Sequence, residues 1–220
     1  MLTEGAAMLG IELDEYQQAR FLAYLKYLIQ WNSVYNLSAV FDPEQMLIQH
    51  ILDSLAIVPV LASNSISSVL DVGSGGGLPG VTLAISKPDW QVTLNDAAQK
   101  KTAFLTHLKT VLPLQNVRIL TVRVESLPSS EFFFSALVSR AFSSLSKLIA
   151  STHHLVAPGA SIWAMKGIFP EAEISEFNAK ALDGMHIARV IKLNVPFLNA
   201  ERHLVQIKVE NASERKNASE

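Results

Sequence analysis

The 220-residue sequence contains no cysteine. That absence removes disulfides, thiolate metal sites and cysteine nucleophiles together, and it fits a reducing compartment. No basic segment followed by an apolar one opens the chain, and no run of about 18 apolar residues occurs. Neither export nor a membrane span is supported, and a cytoplasmic protein is the expectation. Charge is also modest: charged residues make up 17%, the formal net charge is -2 and the isoelectric point lies near 6.3. A protein that coats nucleic acid non-specifically draws on clustered Lys and Arg, so any RNA binding here has to rest on a local patch.

What is present is apolar residues, at 49% of the chain, enough for one α/β domain with an appendage. From Leu13 to Trp31 apolar and aromatic residues recur at helical spacing, among them Tyr16, Phe21, Leu22, Leu25, Leu28 and Ile29, which predicts an amphipathic helix. Tyr16, Tyr24, Tyr27 and Trp31 are read as packing residues of that helix rather than as base-stacking platforms. A second helix starts at Asp42-Pro43, where Asp42 can cap, Pro43 suits the first turn and Gln45 holds a capping-box position. It is expected to run to about Leu61, so that residues 1–63 form a helical extension.

Beyond a polar turn at Ser63 to Ser68, short apolar runs alternate with helical stretches, as in a buried parallel sheet with helices on both faces. The expected strands are Ser68 to Val72, Gln91 to Asn95, Val117 to Val122, Ala136 to Ser139, Ser161 to Met165, Ile187 to Val195 and His203 to Val209. The last two are expected to pair antiparallel, because Pro196 to Arg202 is too short for a crossover helix. The fold class is therefore α/β, Rossmann-like, with a seven-stranded, mostly parallel sheet over residues 64–209. Residues 210–220 read as a polar, disordered tail, and its two Asn-x-Ser sequons carry no weight without a signal peptide.

Asp71-Val72-Gly73-Ser74-Gly75-Gly76-Gly77-Leu78-Pro79-Gly80 follows the first strand and opens a helix. Glycine permits positive φ and close main-chain approach, so a nucleotide-like ligand can rest on N–H groups at the helix start. Asp96 ends the second strand, where a carboxylate can accept hydrogen bonds from ribose hydroxyls. Gly75, Gly77 and Gly80 also satisfy G-x-G-x-x-G, with Asp96 at roughly the dinucleotide spacing, so spacing alone leaves a nicotinamide cofactor open. Three details favour S-adenosylmethionine: Asp71 begins a D-x-G-x-G-x-G pattern, helices precede the first strand, and the sheet ends in a hairpin. An oxidoreductase also predicts a hydride-transfer pair such as Tyr-x-x-x-Lys, which the sequence does not contain. A cofactor-binding regulator without catalysis stays open beside both.

These residues resemble the RsmG (GidB) family from Trp31 to about Lys208. Trp31-Asn32, Tyr35-Asn36-Leu37 and His50-Ile51-Leu52-Asp53-Ser54 are similar to its N-terminal signatures, and Gly77-Leu78-Pro79-Gly80 to its glycine loop. Ser139-Arg140-Ala141-Phe142, Lys166-Gly167 and Glu201-Arg202-His203 resemble its later motifs. Asn95, Ala97 and Gly76 depart from the common pattern without removing a group the cofactor requires. The resemblance implies a class I methyltransferase that uses S-adenosylmethionine to methylate guanine N7 in 16S ribosomal RNA, as naked RNA or in the small subunit, and a monomer is expected. It implies that Gly73, Leu78 and Asp96 hold the cofactor, with Gly75 and Gly77 in the same loop, that Val124 and Glu125 border its adenine, and that Arg140 sits beside the site.

Guanine N7 carries an in-plane lone pair and no proton, so methylation there requires alignment and desolvation rather than a general base. The chain offers no cysteine for the covalent route to pyrimidine C5 and no Asp-Pro-Pro-Tyr-like tetrapeptide. Arg140, at the carboxyl end of the fourth strand, is the candidate catalytic residue: it can grip a phosphate or guanine O6, but a bidentate O6/N7 contact would block the reacting atom. The alternative for Arg140 is a salt bridge to Glu125 or Asp96. Arg123 and Lys166 are weaker candidates for RNA phosphates. His50, Asp53 and Ser54 share a helical face but are too few for a metal site, and a structural role near the cofactor loop is expected, as is an ordinary helix-end role for His153-His154.

Overall fold

A computed structural model describes residues 1–180 and 184–210; residues 211–220, the greater part of the expected tail, lie outside them. The chain opens with a short helix, α1 (Leu2–Met8), which the apolar pattern did not announce. Helix α2 (Glu15–Tyr35) starts in a full capping box: Asp14 Oδ1 accepts from the Gln17 N–H at 2.7 Å, and Gln17 Oε1 accepts from the Asp14 N–H at 3.2 Å. It ends at Tyr35, four residues beyond the expected Trp31, where the capping Asn36, with φ of 51°, stops the winding. Phe21, Tyr24 and Leu28 form its buried face, each contributing roughly 1.5–3 kcal/mol by leaving water. Tyr27 and Trp31 are half-buried, whereas Tyr16 is 59% exposed with the Arg20 guanidinium 4.0 Å from its ring centroid, so it is not a core residue.

Helix α3 (Pro43–Ala62) is capped by Asp42, whose Oδ1 accepts from the Gln45 N–H at 2.8 Å. The Gln45 side chain does not reach back to the cap; it accepts from Gln49 Nε2 instead. The helix is long and apolar enough to cross a membrane, but 72% of its most apolar window is buried within the protein, which marks a core helix. Its middle turn, Leu47–Leu52, is wound as a π-helix.

Strands β1 (Ser68–Val72), β2 (Gln91–Asn95), β3 (Val117–Leu120), β4 (Phe134–Arg140), β5 (Val156–Lys166), β6 (Met185–Leu193) and β7 (Arg202–Val209) make one sheet in the order β3-β2-β1-β4-β5-β7-β6. The first five run parallel; β7 is inserted antiparallel between β5 and β6. Strand β5 begins five residues before the expected Ser161. The pairing of β4 with β5 steps from Phe134↔Val156 to Ala136↔Ser161, and this irregularity accommodates Pro158-Gly159, a pair that argues against a strand in sequence. Strand β3 ends at Leu120 rather than Val122, and β6 lies two residues earlier than expected.

Side chains on alternate positions enter opposite cores. Val69 and Leu94 join Phe21, Leu28, Leu52 and Phe104 under the N-terminal helices, α4 (Gly80–Ser86) and α5 (Gln99–Val111). Leu70, Leu137 and Ile162 join Ile149 and Phe177 of α6 (Leu145–Thr152) and α7 (Glu171–Ala179) on the other face. The N-terminal helices thus share a core with the sheet. Strands β1 and β4 are neighbours whose connections leave in opposite directions, and such a switch point opens a crevice at the carboxyl edge.

Candidate active site

The loop after β1 is held from both sides. Ser74 Oγ donates to the Asp71 carbonyl at 3.0 Å, and the Gly73 and Ser74 N–H groups both donate to the Asn95 carbonyl at 2.9 Å. Gly73, Gly75 and Gly77 have φ of 72°, 56° and 92°. A Cβ at Gly73 would meet nothing within 4 Å, so this residue borders open space, whereas one at Gly77 would stand 2.6 Å from Val81 Cγ2. Asp71 is fully buried; its Oδ2 accepts from the Gly80 N–H at 2.9 Å while Oδ1 has no partner among the described residues. Burial pushes its carboxyl up to about 7, against the opposing hydrogen bond from Gly80.

Asp96 joins this loop to the end of β2. Its Oδ2 accepts from the Gly75 N–H at 3.0 Å and lies 3.3 Å from Lys101 Nζ, and its Oδ1 accepts from the Ala98 N–H at 2.9 Å. Oδ1 keeps a further lone pair for a ligand hydroxyl, and Oδ2, which accepts from both Gly75 and Lys101, would free one if the lysine turned away. Gly73, Asp96, Arg123, Val124, Glu125 and Phe142 line a crevice of 230 Å³. Glu125 stands at its rim, where its own main-chain N–H and the Ser151 hydroxyl, 2.9 Å away, hold its carboxyl below the usual range.

A second cleft, of 430 Å³, opens beside the first and shares Phe142 with it. Arg140 reaches its wall from the end of β4. Its Nη1 donates to the Gln49 carbonyl at 3.1 Å and lies 3.4 Å from His50 Nδ1 and 3.5 Å from Asp53 Oδ2. The other oxygen of Asp53 accepts from Arg202 Nε at 3.0 Å. An arginine has only protons to offer, so His50 Nδ1 accepts and Nε2 carries the hydrogen, donated to Ser38 Oγ at 2.6 Å. Burial, with Arg140 adjacent, pushes the imidazole down to about 4. Lys166 also lines this cleft, but its ammonium lies 2.8 and 3.0 Å from the Glu173 carboxylate oxygens and donates to the Phe142 carbonyl.

The model of the family described as GidB, rRNA small subunit methyltransferase G, matches residues 17–205. The chain belongs to the GidB family. A relative from Burkholderia cenocepacia named ribosomal RNA small subunit methyltransferase G is 53% identical over 216 residues, 97% of this chain and 93% of the relative. One of the same name from Burkholderia multivorans is 53% identical over 215 residues, 96% and 92% of the two chains. Solved structures agree on the fold. A SAM-dependent methyltransferase from Aquifex aeolicus aligns with a TM-score of 0.54 at 17% identity over 76% of this chain and 94% of that one. A branched-chain polyamine synthase from Thermus thermophilus aligns with 0.55 at 14%, over 71% and 55%, so the fold alone does not assign the group transferred.

The GidB fold brings together Gly73, Asp96, Arg123, Val124 and Glu125 at one crevice and sets Arg140 and Lys166 at the adjoining cleft. Gly75 and Gly77 shape the loop from below, and the Leu78 side chain packs into the core. The salt-bridge partner of Arg140 is Asp53, where sequence reasoning had offered Glu125 or Asp96. The reason is geometric: β4 delivers Arg140 against helix α3, and Glu125 bonds Ser151 instead. Sequence reasoning missed Arg202 as a cleft residue, Phe142 as the shared wall, and the Tyr24 hydroxyl, which donates to the Gly76 carbonyl at 2.6 Å. His153 and His154 bond the Ile149 and Leu127 carbonyls, a role at the helix end.

Proposed function

We propose that this GidB-family chain transfers a methyl group from S-adenosylmethionine to N7 of a guanine in 16S ribosomal RNA, acting as a monomer in the cytoplasm. The observation that carries this reading is the meeting of a nucleoside-sized crevice and an arginine-walled cleft at Phe142, on the carboxyl edge of the sheet. The crevice residues fit the cofactor. Open space over Gly73 admits a ligand onto the main chain, and Asp96 can receive one ribose hydroxyl at Oδ1 and a second at Oδ2 in place of Lys101. Val124 and Glu125 would border the adenine, with Gly75, Gly77 and Leu78 fixing the loop that carries Gly73. When bound there, S-adenosylmethionine supplies an electrophilic methyl group on a sulfonium.

The chain's own task is then alignment. N7 has a free lone pair, so no residue has to remove a proton, and among the described residues His50, held neutral in the cleft, has its Nδ1 turned to Arg140 rather than to an acceptor. Arg140 and Arg202 keep donors beyond those used by Asp53 and can grip guanine O6 or a flanking phosphate while leaving N7 open. Arg123 stands at the rim for backbone phosphates; Lys166 would meet RNA only by releasing Glu173. The test is transfer of a tritiated methyl group from S-adenosylmethionine to small-subunit RNA, with 23S RNA as control. Selective label in 16S RNA supports the reading. Binding of NAD in preference to S-adenosylmethionine would sink it.

A further inference from the structure

We infer that Asp53 is a positioning residue of the acceptor cleft: its carboxylate, presented by the N-terminal helical extension, sets the separation and tilt of the Arg140 and Arg202 guanidiniums that face the RNA. The inference rests on the reading of that cleft as the RNA site. Arg140 and Arg202 come from the ends of β4 and β7, strands that are not neighbours in the sheet; β5 runs between them. No backbone hydrogen bond therefore fixes one arginine against the other. The carboxylate does: Oδ1 lies 3.0 Å from Arg202 Nε, Oδ2 lies 3.5 Å from Arg140 Nη1, and the Asp53 side chain is 5% exposed. Both arginine side chains remain 22–23% exposed, so each reaches the cleft while anchored from behind.

The helix is built for this. In the π-wound turn Leu47–Leu52 the backbone ladder runs i to i+5 in place of i to i+4, which changes the directions in which its residues face. The Gln49 carbonyl accepts from Arg140, and His50 of the same turn and Asp53 directly after it lie against that guanidinium. Helix α3 thus offers three acceptors to one arginine and a fourth contact to the other. One carboxylate between two guanidiniums leaves a net positive charge at the cleft, suited to an anionic RNA backbone. Asp53 itself has both oxygens turned to the arginines, so it acts through them.

The test compares Asp53→Asn and Asp53→Glu with wild type in methyl transfer to small subunits and in equilibrium binding of S-adenosylmethionine. Asn removes the charge; Glu keeps it but moves it by one methylene, so the variant retains its charge balance if Asn does not fold. We expect kcat/KM for the subunit to fall by about 100-fold in Asp53→Asn and at least about tenfold in Asp53→Glu, because small misplacements of binding groups have costs of that order. Cofactor affinity should stay within about twofold, since the crevice residues are untouched. In an Arg202→Met background, Asp53→Asn should cost markedly less than in wild type, the non-additivity expected of groups that act as a unit. A folded Asp53→Asn protein with wild-type turnover, or a parallel loss of cofactor affinity, overturns the inference, as does an undiminished cost in both the Arg140→Met and Arg202→Met backgrounds. Wild-type protein that methylates no subunit would bring down the reading of the cleft, and this inference with it.

Discussion

The hydroxyl of Tyr24, in the first long helix, donates to the carbonyl of Gly76 at 2.6 Å, 52 residues away in the glycine loop. Tyr24 is wholly buried, and burial pushes its phenol up, so the group is a neutral donor at any working pH. Tyr24→Phe leaves a loop carbonyl without its partner. We predict a loss of about 1–3 kcal/mol in unfolding free energy, with weaker S-adenosylmethionine binding, measured by denaturant titration with and without the cofactor. An unchanged midpoint in both conditions would show that the tie does not support the loop.

Two glycines of that loop should fail in different ways when replaced by alanine. Gly73 has φ of 72° and open space around its missing Cβ, so Gly73→Ala should fold, at a cost of roughly 1–2 kcal/mol for the left-handed backbone, and lose cofactor affinity because the methyl occupies the ligand's approach. At Gly80 the added Cβ would lie 2.6 Å from Asp71 Oδ2 and 2.9 Å from Asp71 Cβ, in the core. Gly80→Ala should therefore be poorly folded by circular dichroism. Equal behaviour of the two variants would contradict this division.

His50 makes stability sensitive to acid. Its imidazole is near 4 in the folded protein against 6.5 for the free group, so between those values the unfolded chain binds more protons. The contribution is complete above 6.5 and is lost as pH falls towards 4, up to on the order of 3 kcal/mol. Asp71 acts in the opposite sense: raised from 3.8 to about 7, it favours the folded state as pH falls through the same range. The raw profile is therefore flattened, and the difference between wild type and His50→Gln isolates the histidine. That difference should shrink from pH 7 to pH 4; a constant difference would show that His50 is not held neutral.

Arg140 and Asp96 lie at different cavities and should separate kinetically. Arg140→Ala is expected to lower turnover by about 100-fold with little change in cofactor affinity. Asp96→Ala, which removes the acceptor facing Gly75 and the ribose position, should weaken S-adenosylmethionine binding by about tenfold or more. Calorimetry with the cofactor and initial rates with small subunits make the comparison. Equal loss of both quantities in Arg140→Ala would assign that residue to the cofactor instead.

The glycine loop and Asp96 were legible because their chemistry is local: a strand, a turn needing positive φ, and an acid ending the next strand. The seven strands, the helices on both faces and the antiparallel last pair followed from alternation and from the short turn before β7, whereas the strand order is read from the structure. What sequence could not reveal were pairings made only by folding. Asp53 and Arg202 are 149 residues apart, and nothing in either motif names the other. Tyr16 and Tyr24 share a helix and a residue type, yet one is exposed and the other buried, because only the second faces Gly76. The early start of β5 was hidden by Pro158-Gly159, and the π turn in α3 by a smooth apolar pattern.

Methyl transfer to guanine N7 is read by nucleoside analysis of small subunits from cells lacking this gene, after incubation of the subunits, or RNA stripped from them, with the purified protein and tritiated S-adenosylmethionine. Label should co-migrate with 7-methylguanosine and appear about 100-fold more slowly when Arg140→Ala replaces wild type. Label in any other nucleoside would contradict the guanine N7 assignment, and no label on either substrate, with cofactor binding confirmed, would contradict the RNA substrate itself.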